Sequence, residues 1–191
     1  MHPGILARQV QDELSLYKET NKISSKSTTN YIERGSNLKW KLPAWPYVRV
    51  NFDAAFQKEE GRMGLSAIVR DSIGNVQAVV TGPKDHISSA AQAESVALLR
   101  AMDLCIELGF NQVCFEGDVK AIVDAVNTKG EDNSWIGQMI EDMQLLLRMN
   151  QAWSLRFVQR TVNRVAHMTA KLAITDSCEK CLGSRMALPR S

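Results

Sequence analysis

From Val48 to Phe56 the chain reads Val-Arg-Val-Asn-Phe-Asp-Ala-Ala-Phe, and Val48, Val50 and Phe52 recur at the period of two that a strand requires. Gly64 to Arg70 and Asn75 to Thr81 are two further predicted strands. Between them, Lys58 to Arg62 and Asp71 to Asn75 supply the Gly, Asp, Ser and Asn that tight turns use. The three strands therefore predict an antiparallel meander. After Thr81 the period lengthens: Ala93, Ala97, Leu98, Ala101, Met102, Leu104, Cys105 and Leu108 form a broad apolar helical stripe. Ser88 or Ser89 can cap that helix and Gly109 ends it. Next come a short strand at Gln112 to Phe115 and a helix opening near Asp118 with Ile122, Val123 and Val126 inward. A helix from Trp135 to Met149, a strand from Trp153 to Gln159 and a helix from Asn163 to Thr175 complete the order. Strands joined through helices are usually parallel. The order β-β-β-α-β-α-α-β-α thus predicts an α/β fold, a mixed five-stranded sheet with three antiparallel strands then two parallel ones, flanked by helices.

The regular pattern occupies residues 46–176. Ahead of it, residues 1–45 hold a weak amphipathic helix (Ile5, Leu6, Val10, Leu14, Tyr17) and a polar stretch from Glu19 to Asn37 that reads as a linker. Pro43-Ala44-Trp45-Pro46 punctuates entry to the domain, because proline cannot donate to a sheet ladder. Residues 177–191 read as a flexible tail.

Composition narrows the class. The 191 residues are 45% hydrophobic and 23% charged, as in an ordinary globular protein with a sizeable core. A formal charge of +2 does not by itself argue for a nucleic-acid partner, so any such argument must rest on local charge. No apolar stretch approaches the roughly 20 residues that span a bilayer, and Met1 to Val10 lacks the apolar centre of a secretory signal. An intracellular monomer away from the membrane is expected, nuclear or cytoplasmic residence being undetermined. Cys105 and Cys114 fall on predicted elements and fit as small apolar residues, whereas Cys178-x-x-Cys181 lacks the two further ligands of a zinc site.

Asp53 interrupts an apolar strand, and a carboxylate there asks for a hydrogen bond, a cation or a metal. Glu94 in the first long helix and Asp118 after the fourth strand complete an acidic trio in an order that can gather around an ion. Each has a plainer account alone: Asp53 at a strand edge, Glu94 on a helix surface, Asp118 as a helix cap. The other acids, including Glu59, Glu60, Asp103, Glu107, Glu116, Asp124, Glu141 and Asp142, read as solvated surface.

Five blocks carry a family resemblance: Val50-Asn51-Phe52-Asp53-Ala54-Ala55, Gly64 to Asp71, Ala93 to Leu98, Phe115-Glu116-Gly117-Asp118, and Asn163-Arg164-Val165-Ala166-His167. In that order and spacing the chain resembles the ribonuclease H superfamily. The resemblance is to plant retroelement-derived domains related to the RNase H region of non-long-terminal-repeat reverse transcriptases. It covers about residues 45–175.

The resemblance implies an RNase H-like fold and a metal-dependent endonuclease that hydrolyses the RNA strand of RNA/DNA hybrids, leaving 5′-phosphate and 3′-hydroxyl ends. Asp53, Glu94 and Asp118 match the family's three core metal-binding acids. Two Mg²⁺ or Mn²⁺ ions are the implied cofactors, hard cations that take oxygen ligands and leave room for phosphate. The fourth family acid is replaced by His167, a poorer match for Mg²⁺. A packed or half-exposed histidine beside the site is the competing account. The loop histidine of many relatives is absent, the chain running Gln159-Arg160-Thr161-Val162 into Asn163. These departures support the alternative of a weak or inactive domesticated module that binds nucleic acid or a partner. Arg160, Arg164 and Asn163 are candidate substrate contacts, with Arg156 and Lys171 in the same basic cluster, although Asn163 is also placed to cap its helix.

Overall fold

The computed structural model of the chain describes residues 40–128 and 135–183. In chain order the elements are β1 (Val48–Gln57), β2 (Arg62–Arg70), β3 (Val76–Lys84), α1 (Ala90–Leu108), β4 (Val113–Gly117), α2 (Lys120–Asn127), α3 (Trp135–Met149), β5 (Trp153–Phe157), α4 (Arg164–Ala173) and β6 (Lys180–Gly183). They form one mixed sheet in the order β5-β4-β1-β2-β3-β6. The β1–β2–β3 meander is antiparallel, and β4 and β5 add in parallel to β1.

β1 is central and is covered on both sides. Val48, Val50, Phe52 and Ala54 pack into the main core with α1, while the alternate residues Arg49, Asn51 and Asp53 point to the face on which α4 packs. These polar residues are nonetheless buried, at 7%, 1% and 0% exposure. Each therefore needs a hydrogen-bond or ion-pair partner on this face. The larger core lies beneath α1, where Leu98, Met102, Phe52 and Phe115 are fully buried; each such side chain contributes about 1.5–3 kcal/mol. Phe115 meets the edge of Trp153 at 5.1 Å, and the indole of Trp153 donates to Phe110 O at 3.1 Å.

α1 begins as its sequence requires. The Ser89 side chain accepts the Gln92 amide at 3.1 Å, and Gly109 ends the helix at φ 76, a left-handed conformation that glycine adopts without strain. α4 lies so close to the sheet that a Cβ on Gly64 would stand 2.1 Å from Ala170 O. Ser66 Oγ, buried at the same contact, donates to Ala166 O at 3.0 Å.

Two expectations change. The sheet has six strands: Lys180–Gly183 pairs antiparallel with β3, so the fold extends into the segment read as a flexible tail. β6 is four residues long, too short for alternation to register, and it is anchored by Glu179, which accepts from Arg100 Nε at 2.8 Å. The amphipathic helix and linker predicted before residue 40, and the tail after residue 183, lie outside the described residues. Among the described residues no helix is long and apolar enough to cross a membrane. Cys178 and Cys181 are exposed, free thiols.

Candidate metal centre

Three elements converge at the end of the sheet where the parallel strands β1 and β4 terminate. β1 carries Asp53, the residue after β4 is Asp118, and the second turn of α1 carries Glu94. One carboxylate oxygen from each lies within 4.8 Å of the others, and among the described residues no other group of three acid, histidine or cysteine ligands is so close. Gly117 sets the position of Asp118: a Cβ there would stand 2.3 Å from Phe52 Cζ, so β4 lies against the Phe52 ring only because residue 117 has no side chain.

Burying three carboxylates together is electrostatically unfavourable and favours retention of their protons. Burial, then the charge of Asp118, pushes the Asp53 carboxyl up to about 7, although the Ala54 amide donating at 2.7 Å opposes this. Glu94 is pushed up to about 9 by burial, then by the charges of Asp53 and Asp118, and its proton is donated to Asp53. Glu94 Oε2 is buried without a hydrogen-bond partner. Crowded oxygens, raised carboxyl pKa values and a buried acceptor without a partner suit a hard divalent cation, which takes oxygen ligands and displaces protons on binding. The donor set fits such an ion.

Two cationic or polar side chains border the trio. His167 Nδ1 lies 3.0 Å from Asp53 Oδ2, and its Nε2 lies 3.5 Å from Arg160 Nη1. Burial lowers the His167 pKa, as do the charges of Arg160 and Lys171, with Asp118 opposing. The neutral tautomer with the proton on Nδ1 satisfies both contacts, donating to Asp53 and accepting from Arg160. Arg160 donates to both Asp118 oxygens, through Nε at 2.8 Å and Nη2 at 3.4 Å, from a side chain 57% exposed. With Lys171 they line a cleft of about 480 Å³ over Glu94.

Several residues depart from their expected roles. Asp118 does not cap α2, whose N-cap is Val119 without a side-chain bond; its carboxylate is engaged by Arg160 instead. Asn163 is 1% exposed, donates to Phe52 O at 2.8 Å and accepts from Asn51 Nδ2 at 3.2 Å. Its side chain does not cap α4; it ties the start of α4 to the backbone beside Asp53. Glu116, read as solvated, is 1% exposed and paired with Arg49 at 3.2 Å and with Arg156. Arg164 is exposed at the start of α4, and Arg160 borders the carboxylates. Asn51 and Glu116 were missed; the available signal was their position two residues before Asp53 and Asp118, hence on the same sheet face.

The model of the family described as reverse transcriptase-like matches residues 51–173. No curated protein matches the chain. Among solved structures, RNase H1 from the halophilic archaeon Halobacterium salinarum NRC-1 is similar with a TM-score of 0.62 at 22% identity, over 69% of this chain and 99% of that one. A metagenomic RNase H1 isolated from compost, solved in complex with an RNA/DNA hybrid, gives 0.60 at 16% identity over 66% and 96% of the two chains. The N-terminal RNase H domain of a Mycobacterium tuberculosis protein gives 0.59 at 19% identity over 67% and 93%. At these identities the likeness is one of fold.

Proposed function

The chain belongs to the reverse transcriptase-like family of the ribonuclease H superfamily, and from that premise we propose that it is a divalent-metal-dependent endonuclease cutting the RNA strand of RNA/DNA hybrids. The observation that carries this reading is the Asp53, Glu94 and Asp118 cluster, with oxygens within 4.8 Å and one left without a partner.

In this reading Asp53, Glu94 and Asp118 hold two Mg²⁺ or Mn²⁺ ions. Bound there, the ions supply a water of lowered pKa and Lewis-acid stabilisation of the scissile phosphate. The protein's own part is to place and release. Asp53 and Glu94 give up their protons when the carboxylates take up charge partners. Arg160, more than half exposed, exchanges Asp118 for a substrate phosphate at little packing cost. His167 keeps its Nδ1 contact with Asp53 and takes the place of a fourth acid beside the ions. Arg164 and Lys171, exposed along α4, extend the cationic border toward the strand backbone. The RNA strand is then distinguished by its 2′-hydroxyls and hybrid shape rather than by sequence. The hybrid held by the compost enzyme supports this substrate class.

One observation favours a second reading, a nucleic-acid-binding module without turnover. His167 and Arg160 engage acceptor sites on Asp53 and Asp118, so the protein's own side chains partly satisfy these carboxylates. The two readings separate by cleavage of a labelled hybrid in Mg²⁺ or Mn²⁺, with Asp53→Asn as the control. The nuclease reading requires cleavage that the variant loses. The binding reading requires hybrid affinity that persists in chelator and weakens with salt.

A further inference from the structure

The sheet face that presents Asp53 and Asp118 continues away from them, two residues at a time, through Asn51 and Arg49 on β1 and through Glu116 and Cys114 on β4. The charge reverses along it. Glu116 Oε1 accepts from Arg156 through Nε at 2.9 Å and Nη2, and pairs electrostatically with Arg49, whose Nε lies 3.2 Å away without making a hydrogen bond. Glu116 Oε2 accepts from Asn51 Nδ2 at 3.0 Å.

These groups line a cavity of about 350 Å³, and Lys41 stands on its wall. Three cationic side chains, Lys41, Arg49 and Arg156, thus face one acid, Glu116, an excess of two positive charges. Among the described residues no second acid lines the cavity. Arg49 is only 7% exposed; its Nη1 donates to Lys41 O, but its Nε is buried without a hydrogen-bond partner and its one counter-charge is shared with Arg156. Burial holds the Arg49 pKa below its ordinary value; Glu116 opposes this, and the neighbouring charge of Arg156 adds to it. Arg156 spends Nε and Nη2 on Glu116, while Nη1 has no contact among the described residues and the side chain is 48% exposed. The Lys41 ammonium is likewise without a partner among them. Phe157, 41% exposed, and Val158 form an apolar lip.

We propose that this cavity binds a phosphate group, taken by Arg156 and Lys41 at its mouth and by Arg49 at its back. The planar fork of Arg156 suits bidentate contact with phosphate oxygens, and Lys41 adds a movable point charge. The site is separate from the carboxylate centre. The segment 158–163 lies between them, with Gln159 and Val162 on the cavity and Arg160 on the carboxylates. One step of two residues along a strand is roughly 7 Å, so one nucleic-acid strand bound near the carboxylates can place a neighbouring phosphate here. A free nucleotide offers the same group.

The test uses the full chain carrying Asp53→Asn, without divalent ions, so that it does not depend on the nuclease reading. Inorganic phosphate is titrated while the arginine Nε–H signals are followed by NMR. The expected result is a saturable shift of the Arg49 and Arg156 signals, with affinity weakened roughly tenfold by Arg156→Gln. Lys41→Gln, which leaves the Glu116 network intact, should weaken it by about threefold or more. No shift at either arginine, or a shift that neither substitution changes, overturns the proposal. The source of the phosphate is read from hybrid binding. If it belongs to the hybrid, Lys41→Gln lowers the slope of log affinity against log salt by about one. An unchanged slope, with adenosine monophosphate competing for the arginine shifts, assigns the site to a free nucleotide.

Discussion

Asp53 sits in an electrostatic conflict: fully buried, it faces the charge of Asp118 and is hydrogen-bonded to Glu94. Its carboxyl, ordinarily near 3.8, stands at about 7, and that of Glu94, ordinarily near 4.5, at about 9. The native state therefore holds protons that the unfolded chain has released, and unfolding free energy falls as pH rises through this window. His167, held below its ordinary value of 6.5, acts in the opposite direction below that value. In chelator, the melting temperature should fall between pH 5 and pH 8 and recover when Mg²⁺ is added at the higher pH. Asp53→Asn removes one of the crowded charges, so at pH 8 in chelator it should melt several degrees above the parent chain. A parallel fall in both proteins would mean that Asp53 is not the source. His167→Asp adds a fourth acid: melting in chelator should drop, and Mg²⁺ binding measured by calorimetry should tighten by about tenfold. The acidic trio was legible in one dimension because Asp53 breaks an apolar strand. Glu116 and Asn163 were not, since their partners lie 40 and 111 residues away and only the folded sheet brings them together.

Elements were legible where a periodic pattern runs long enough to declare its partner. The stripe of α1, its Ser89 cap and its Gly109 stop were all visible as local chemistry. So was β1, whose alternation is visible in sequence, although both of its faces are buried, one beneath α1 and the other beneath α4. β6 escaped because four residues pairing across about a hundred positions leave no local signature. A chain ending at Asp176 should lose the Arg100–Glu179 ion pair and free the outer edge of β3. Hydrogen exchange should then quicken along β3 while β1 and β4 stay protected; unchanged protection of β3 would show that β6 contributes nothing. At the junction of β4 and α2, the contact of Gly117 with the Phe52 ring links core packing to the site. Gly117→Ala should cost about 1–3 kcal/mol in urea unfolding. Because the strand must shift, it should also displace Asp118 and weaken Mn²⁺ binding. Destabilisation with unchanged metal affinity would separate packing from ligand placement.

At the scale of the whole molecule, the fold places an acidic centre at the end of the parallel strands and a cationic cavity behind it on the same face. The exposed cations Arg160, Arg164 and Lys171 border the acidic end. A net charge of +2 conceals this arrangement, because 23 basic and 21 acidic residues nearly cancel in the sum wherever they are placed. The superfamily was legible from five short blocks because each block sits where the fold requires it. What the ions are, and whether His167 in the fourth position permits turnover, depend on energies that a motif does not carry. The central claim is that Asp53, Glu94 and Asp118 form a working two-ion centre for phosphodiester hydrolysis. Its most direct test is cleavage of an end-labelled RNA/DNA hybrid by the purified chain in Mg²⁺ and separately in Mn²⁺, with Asp53→Asn protein prepared in parallel. The account predicts RNA-strand products with 3′-hydroxyl ends from the parent chain and at least a hundredfold less from the variant, on the order of one lost essential interaction. No cleavage in either ion by the well-folded parent chain, or equal cleavage by the variant, would contradict it.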